Sequence, residues 1–305
     1  MYAVIDIGSN TIRLSLYSVE NGTIIQMLNK KITAGLAGYT QNGRMSEEGI
    51  EKGEEALKTL STLLSHIKIQ RLVCFATASL RGIDNAGEVK ARFEQIIGTE
   101  ITILSGEEEA EIDYFGAKQT FLENEGLLVD IGGGSTEIAC FKDDKLVFSR
   151  SIPVGSLIMY RKHVKDVVPT KFETLKIDSE IQRMLKTVFA GETIQVKRIC
   201  GIGGTVRGCG NVLSALMKDK TKKEMYLVND ISLLMDEKKR SRTDIILKNE
   251  PERIHTLLPG VCILYAVAAF FGAESIRVSK TGVREGYLAK LLAEEKNKRE
   301  VTGND

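Results

Sequence analysis

The sequence predicts an α/β protein built from two similar domains, and three observations predict it. Strand-like runs alternate with helix-like runs along the chain. The segment AVIDIG (3–8) recurs as LLVDIG (127–132), an internal repeat on the scale of a domain. A length of 305 residues suits two domains better than one. The repeat places the domains at 1–122 and 123–305, with a last helix at about 284–297 able to pack back toward the first domain.

The elements follow from local pattern. Residues 2–6 are apolar and β-branched and turn at Gly8. Residues 12–19 (IRLSLYSV) alternate like a half-buried strand, and Asn21-Gly22 signals a hairpin into 23–28. Ser46 opens a helix to about Ser65, with Ile50, Leu57, Leu60, Leu63 and Leu64 on one face. Then come a buried strand (71–76), a helix (86–97), a strand (100–104) and a helix (107–122). After the repeat, 136–141 and 145–150 pair across Asp143-Asp144. Residues 170–190 are helical, 196–202 form a strand ending in a glycine-rich turn, and a helix follows from about Thr205. The basic stretches 218–223 and 237–242 are loops or helix ends. A buried helix (261–271), a short strand (275–279) and an amphipathic helix (284–297) complete the chain.

Composition excludes more than it assigns. The net charge of +1 announces neither nucleic acid nor a membrane surface, although the excess is acidic over 1–122 and basic over 123–305. Five cysteines (Cys74, Cys140, Cys200, Cys209, Cys262) make no Cys-x-x-Cys pair and read as buried thiols of a reducing compartment. No basic leader precedes MYAVIDIGS, and the apolar run 257–273 is broken by Pro259 and two glycines. A cytoplasmic protein without a membrane span is the expectation. The three histidines lie far apart, without zinc-ligand spacing.

Three small-residue turns follow strands: DIGSNT (6–11), DIGGGST (130–136) and GIGGT (201–205). Such turns let backbone N–H groups approach phosphate oxygens. One alone would be a steric turn; three are a pattern, and none fits the Walker A or dinucleotide fingerprint. Asp6 and Asp130 end equivalent strands and should face an interdomain cleft, where a Mg²⁺ with oxygen ligands would offset phosphate charge. Glu137 lies on the outgoing strand of the second hairpin and could complete that site or be an ordinary strand glutamate. In SGEEEAE (105–111) the acids suit the first turn of a helix, yet Glu109 could also activate a water. Arg81, in ATASLRG (76–82), could hold a terminal phosphate or form a surface ion pair; Arg13 could project toward the cleft; Arg284 could bind an anion or pair with a glutamate.

These segments, with SIPVGS (151–156), GIGGTVRG (201–208), LPG (258–260) and VREG (283–286), resemble the exopolyphosphatase / guanosine pentaphosphate phosphohydrolase (Ppx/GppA) family in its short two-domain form. The resemblance covers roughly residues 2–290. It implies two duplicated actin-like domains (the sugar kinase/actin/heat-shock ATPase, ribonuclease H-like class) around a cleft. It implies that Glu109 is the catalytic base and that Arg81 contacts phosphate. Asp130 and Glu137 become metal-binding acids, joined by Asp6 on the physical reading above. Gly132, Gly133, Ser135, Gly203, Gly204 and Thr205, with Ser9, Asn10 and Arg13, become phosphate-binding positions. Two positions depart from the family pattern: Lys280 and His255 stand where aspartates are usual. The function implied is exopolyphosphatase, with Mg²⁺ or Mn²⁺ and a homodimer. The alternatives are a guanosine pentaphosphate (pppGpp) phosphohydrolase, an ATP-dependent kinase, and a non-catalytic sensor of polyphosphate or guanosine penta/tetraphosphate.

Overall fold

The computed structural model describes residues 1–20, 22–118, 123–143, 145–192, 194–236 and 239–302. The chain divides into two compact units, Met1–Gly116 with Val283–Asp305, and Ala117–Gly282. The chain thus crosses into the second unit ahead of the expected boundary, and the final helix belongs to the first unit and not to the 123–305 domain.

The first unit opens with β1 (Tyr2–Ile7), β2 (Thr11–Glu20) and β3 (Thr23–Thr33), then a small hairpin of β4 (Thr40–Gln41) and β5 (Arg44–Met45). It continues through α1 (Glu47–Ser65), β6 (Arg71–Ala76), α2 (Ala86–Ile97), β7 (Ile101–Ile103) and α3 (Gly106–Lys118). The second unit holds β8 (Glu125–Ile131), β9 (Thr136–Lys142), β10 (Lys145–Ile152), α4 (Ser156–His163), α5 (Lys171–Val188), β11 (Arg198–Ile202) and α6 (Gly203–Met217). There follow β12 (Met225–Leu227), α7 (Asp230–Asp236), α8 (Lys239–Asn249), α9 (Leu257–Phe270) and β13 (Ser275–Val278). The last helix, α10 (Val283–Thr302), lies in the first unit.

Both main sheets follow one plan. The first runs β3-β2-β1-β6-β7 and the second β10-β9-β8-β11-β13, with β12 added at its edge. In each, the first three strands are antiparallel and the next two join in parallel. The duplication read from AVIDIG and LLVDIG is therefore a duplication of topology, one mixed α/β sheet plan used twice. The second copy carries an insertion, β12, α7 and α8, that the sequence pattern showed only as basic loops.

Strand alternation sorts the first core into two layers. Ala3, Ile5 and Ile7 of β1 pack with Ile50, Leu57 and Leu60 of α1 and Val89 and Phe93 of α2. Val4 points to the other face and packs with Tyr17, Phe75, Leu104, Ile112 of α3 and Leu288 of α10. The α3–α10 contact is close because Gly286 lacks a Cβ; one there would strike the Ile112 carbonyl. In the second unit one core joins β8, β9 and β11 to α5, α6 and α9. All five cysteines are free and buried. Asn21, Asp144, 119–122 and 237–238, which carried turn, helix-end and basic-loop expectations, lie outside the described residues. Among the described residues no helix is long and apolar enough to cross a membrane.

Candidate active site

In the first unit the site begins at the end of β1. The Gly8 N–H donates to the Thr11 carbonyl (3.0 Å), closing the DIGSNT turn. The Ser9 carbonyl accepts from Ala37 N (2.9 Å), and the Asn10 carbonyl accepts from Ala34 N (3.1 Å) and Gly35 N (2.9 Å). Asp6 and Arg13 are opposed in the β1–β2 register, so their side chains share one face of the sheet. Burial raises the Asp6 pKa above its ordinary value, while Arg284 and Arg13 pull the other way. Glu285, beside Arg284, accepts a 2.5 Å hydrogen bond from the Tyr17 hydroxyl. Asp6 thus sits among cations of its own unit.

The ATASLRG turn docks on the same strand end. The Thr77 N–H (3.3 Å) and the Ser79 hydroxyl (2.5 Å) both donate to the Ile7 carbonyl, and the Arg81 N–H donates to the Thr77 carbonyl at 3.1 Å. This aims Arg81 inward: Nη1 donates to the Leu104 carbonyl at 3.3 Å and to Glu109 Oε2 at 3.1 Å. The three adjacent glutamates of α3 have different surroundings. The Glu108 N–H donates to Ser105 Oγ (3.2 Å) and Glu108 Oε2 accepts from Ser105 N (2.8 Å), a capping box. The Ser105 amide and hydroxyl hold the Glu108 carboxyl below the usual range. Glu109, 7% exposed, takes no part in that cap and meets Arg81 instead.

In the second unit DIGGGST and GIGGT lie at the ends of neighbouring parallel strands, β8 and β11. The Gly132 N–H donates to the Ser135 carbonyl at 3.0 Å. The Gly132 carbonyl accepts from Ser156 N (2.9 Å) and Ser156 Oγ (3.0 Å); the Gly133 carbonyl accepts from Leu157 N (3.0 Å). Among the described residues no peptide bond is cis. A trans peptide sets its C=O and N–H on opposite sides. Turning these two carbonyls into the start of α4 therefore turns the Gly133 and Gly134 N–H groups away from it, as an anion nest requires. At GIGGT, α6 starts without a side-chain cap on its first N–H groups, a second anion-binding end. Gly203 has φ 85°, and a Cβ there would strike Asp130 Oδ1. Thr205 is buried.

Asp130 and Glu137 are register partners across β8 and β9. Glu137 is 1% exposed, and its Oε1 accepts from the hydroxyls of Ser135 (2.7 Å) and Ser151 (2.8 Å), so it anchors the loop serine. Among the described residues no three His, Cys, Asp or Glu side chains converge as a metal cage. The donor chemistry of Asp130 with Glu137 behind it still fits Mg²⁺, which keeps several waters and takes one or two carboxylates.

Sequence reasoning missed Arg253. Its guanidinium fills the space a Cβ on Gly204 would need, so it lies directly against the GIGGT turn. Burial lowers its pKa, and Glu250, Glu252 and Asp130 oppose that shift. A signal was present: Arg253 stands two residues before His255, in a segment already singled out for the missing aspartate. Lys280, the other departure, is 80% exposed and faces Glu224 at 3.8 Å, a solvated pair of little energetic weight.

Residues 15–295 match the Ppx/GppA phosphatase family. The chain is 26% identical over 300 residues to a guanosine-5'-triphosphate,3'-diphosphate pyrophosphatase of Pseudoalteromonas translucida; this covers 96% of the chain but 60% of that protein's length. It is similar in structure to an Aquifex aeolicus Ppx/GppA family member, with TM-score 0.77, 25% identity, and 96% and 98% of the two chains covered. It also shares the fold of an exopolyphosphatase from Cytophaga hutchinsonii, with TM-score 0.82, 22% identity, and 96% and 97% covered. The repeated sheet plan, the ordered glycine-rich turns and the matched span agree: the chain belongs to the Ppx/GppA phosphatase family.

Proposed function

We propose that the chain hydrolyses the terminal phosphoanhydride of a phosphate-chain substrate. The observation that carries this reading is the separation of Glu108 from Glu109: one caps the helix, while the other is buried at 3.1 Å from Arg81. A carboxylate fixed in direction by a guanidinium is placed to orient a water and to receive its proton as attack on phosphorus proceeds, and the remaining N–H groups of the same guanidinium offer donors to a phosphate. In the proposed step water attacks the terminal phosphorus, the bridging P–O bond breaks in line, and Glu109 accepts the proton. The Gly133–Gly134 amides, the start of α6 and Arg253 supply the anion-holding groups of the second unit, and Ser9, Asn10 and Arg13 those of the first. Asp130, with Glu137 behind it, would hold Mg²⁺, which when bound neutralises phosphate oxygens.

Inorganic polyphosphate and guanosine pentaphosphate both present such a chain. The relative named for the guanosine compound favours the second. The test is phosphate release by wild type and Glu109→Ala from tripolyphosphate, long polyphosphate and guanosine pentaphosphate, with Mg²⁺ and with chelator. Turnover lost with ligand binding kept supports the base. A near-normal rate removes it, and binding without release by wild type would leave the sensor reading.

A further inference from the structure

Ser151 opens the SIPVGS segment near the end of β10. Antiparallel register sets Asp130 of β8 opposite Glu137 of β9, and Glu137 opposite Ser151 of β10. Directly opposed residues share a face of the sheet, so Asp130, Glu137 and Ser151 form a row across three strands. Two strand spacings make the row about 10 Å long. It lies where β8 ends and β9 begins, at the DIGGGST turn. The next residues along pin its outer end from the opposite face: Thr136 is the register partner of Ile152, and the Thr136 hydroxyl donates to the Val154 carbonyl at 2.6 Å. Two hydroxyls converge on one oxygen of Glu137. Its Oε1 accepts from Ser151 Oγ at 2.8 Å and from Ser135 Oγ at 2.7 Å. The carboxylate is 1% exposed, so turning it would break both bonds with no water to replace them.

We infer that Ser151 is a positioning residue for the cation site of Asp130 and Glu137: with Ser135 it keeps Oε1 of Glu137 on the β10 side of the row and so turns the other oxygen, Oε2, toward Asp130. The inference rests on the proposed Mg²⁺ reading and deepens it, because it names what orients the second carboxylate. A carboxylate at a metal site depends on its own hydrogen-bond partners, and losing one weakens metal affinity by about 10–100-fold. The same bonds give the Ser135 side chain a task other than holding phosphate. A hydroxyl has one proton, and that of Ser135 goes to Glu137. Its oxygen then offers the loop lone pairs and no donor for a phosphate.

The experiment titrates Mn²⁺, as the probe, into the full chain by calorimetry and records Tm for each protein: wild type, Ser151→Ala, Ser151→Thr, Ser135→Ala and Asp130→Asn. The expected result is a Kd for Mn²⁺ about tenfold higher in Ser151→Ala and in Ser135→Ala. Ser151→Thr keeps a hydroxyl, suits a strand and should bind close to wild type. A serine that only stabilises β10 would lower Tm in Ser151→Ala and leave the Mn²⁺ affinity of the folded protein unchanged, which overturns the inference. The failure of the metal reading looks different. If wild type binds no Mn²⁺, or Asp130→Asn binds it as wild type does, the cation site itself is wrong and the inference falls with it. If Asp130→Asn abolishes binding while Ser151→Ala leaves it intact, the inference alone falls. Binding is measured without turnover, so the result stands apart from the hydrolase reading.

Discussion

At the scale of single residues, neighbours in sequence meet different partners. Glu108 and Glu109 are one position apart, yet the first bonds to Ser105 and the second to Arg81. Glu108→Gln should therefore leave turnover within a few-fold of wild type, while Glu109→Gln should lower kcat by about 10²–10⁴-fold. Steady-state phosphate release distinguishes them, and equal losses in the two variants would refute the division of labour. Arg253 offers a second residue-scale test. Gly204 does not have a left-handed backbone, so alanine fits its conformation; the added methyl instead displaces the Arg253 guanidinium. Gly204→Ala should lower kcat/KM at least tenfold, by loss of a charged phosphate contact of about 1.5–3 kcal/mol, with little change in Tm. A large fall in Tm with unaltered kinetics would mean that the arginine serves packing alone.

At the scale of elements, glycines allow backbones to meet where the loops must be held. Gly155 has extended backbone that any residue could adopt, but a Cβ there would collide with the backbone of Gly133 and Gly134. Backbone cannot rotate away as a side chain can. Gly155→Ala should therefore push α4 off the DIGGGST loop, costing about 1–3 kcal/mol and lowering Tm by several degrees. Thermal unfolding measures the cost, and an unshifted Tm would show that the loop and α4 are not rigidly joined. The elements legible beforehand were those with strong local pattern. Ser46 caps α1, with its side chain accepting from the Gly49 N–H (3.3 Å), and α1 ends at Ser65 as its periodicity required. Short α4 and α7, with β12, lack such periodicity. They form because Leu157 and Met159, Ile231 and Leu234, and Tyr226 are drawn into the core by contacts distant in sequence.

At the scale of the whole molecule, carboxylates of both units link stability to acid. Hydrogen bonds from Lys90 and the Ile101 amide hold Glu94 below the ordinary range, and Arg92 does the same for Glu54. Burial works against ionisation of Glu180, but hydrogen bonds from Lys162 and His163 outweigh it. Groups with lowered folded pKa stabilise above their unfolded value, about 4.3, and the contribution is lost as pH falls below it. Asp6 has the opposite sign. Its raised folded pKa contributes stability below about 3.9 that is lost as pH rises. The urea midpoint should accordingly drop between pH 5 and about pH 3, and drop more steeply in Asp6→Asn, where the opposing group is gone. Denaturation curves across that range provide the check; a shallower decline in the variant would reverse the sign assigned to Asp6.

From the sequence alone came the duplication, the strands around both Asp-Ile-Gly turns and the three small-residue turns themselves, because each is a matter of local period, turn geometry and side-chain size. Only the tertiary structure decided which of three consecutive glutamates turns inward, that α10 packs beside α3 in the first unit, and that Arg253 lies on Gly204. Those outcomes depend on which surfaces exclude water together, and burial between distant segments leaves no periodic mark along the chain.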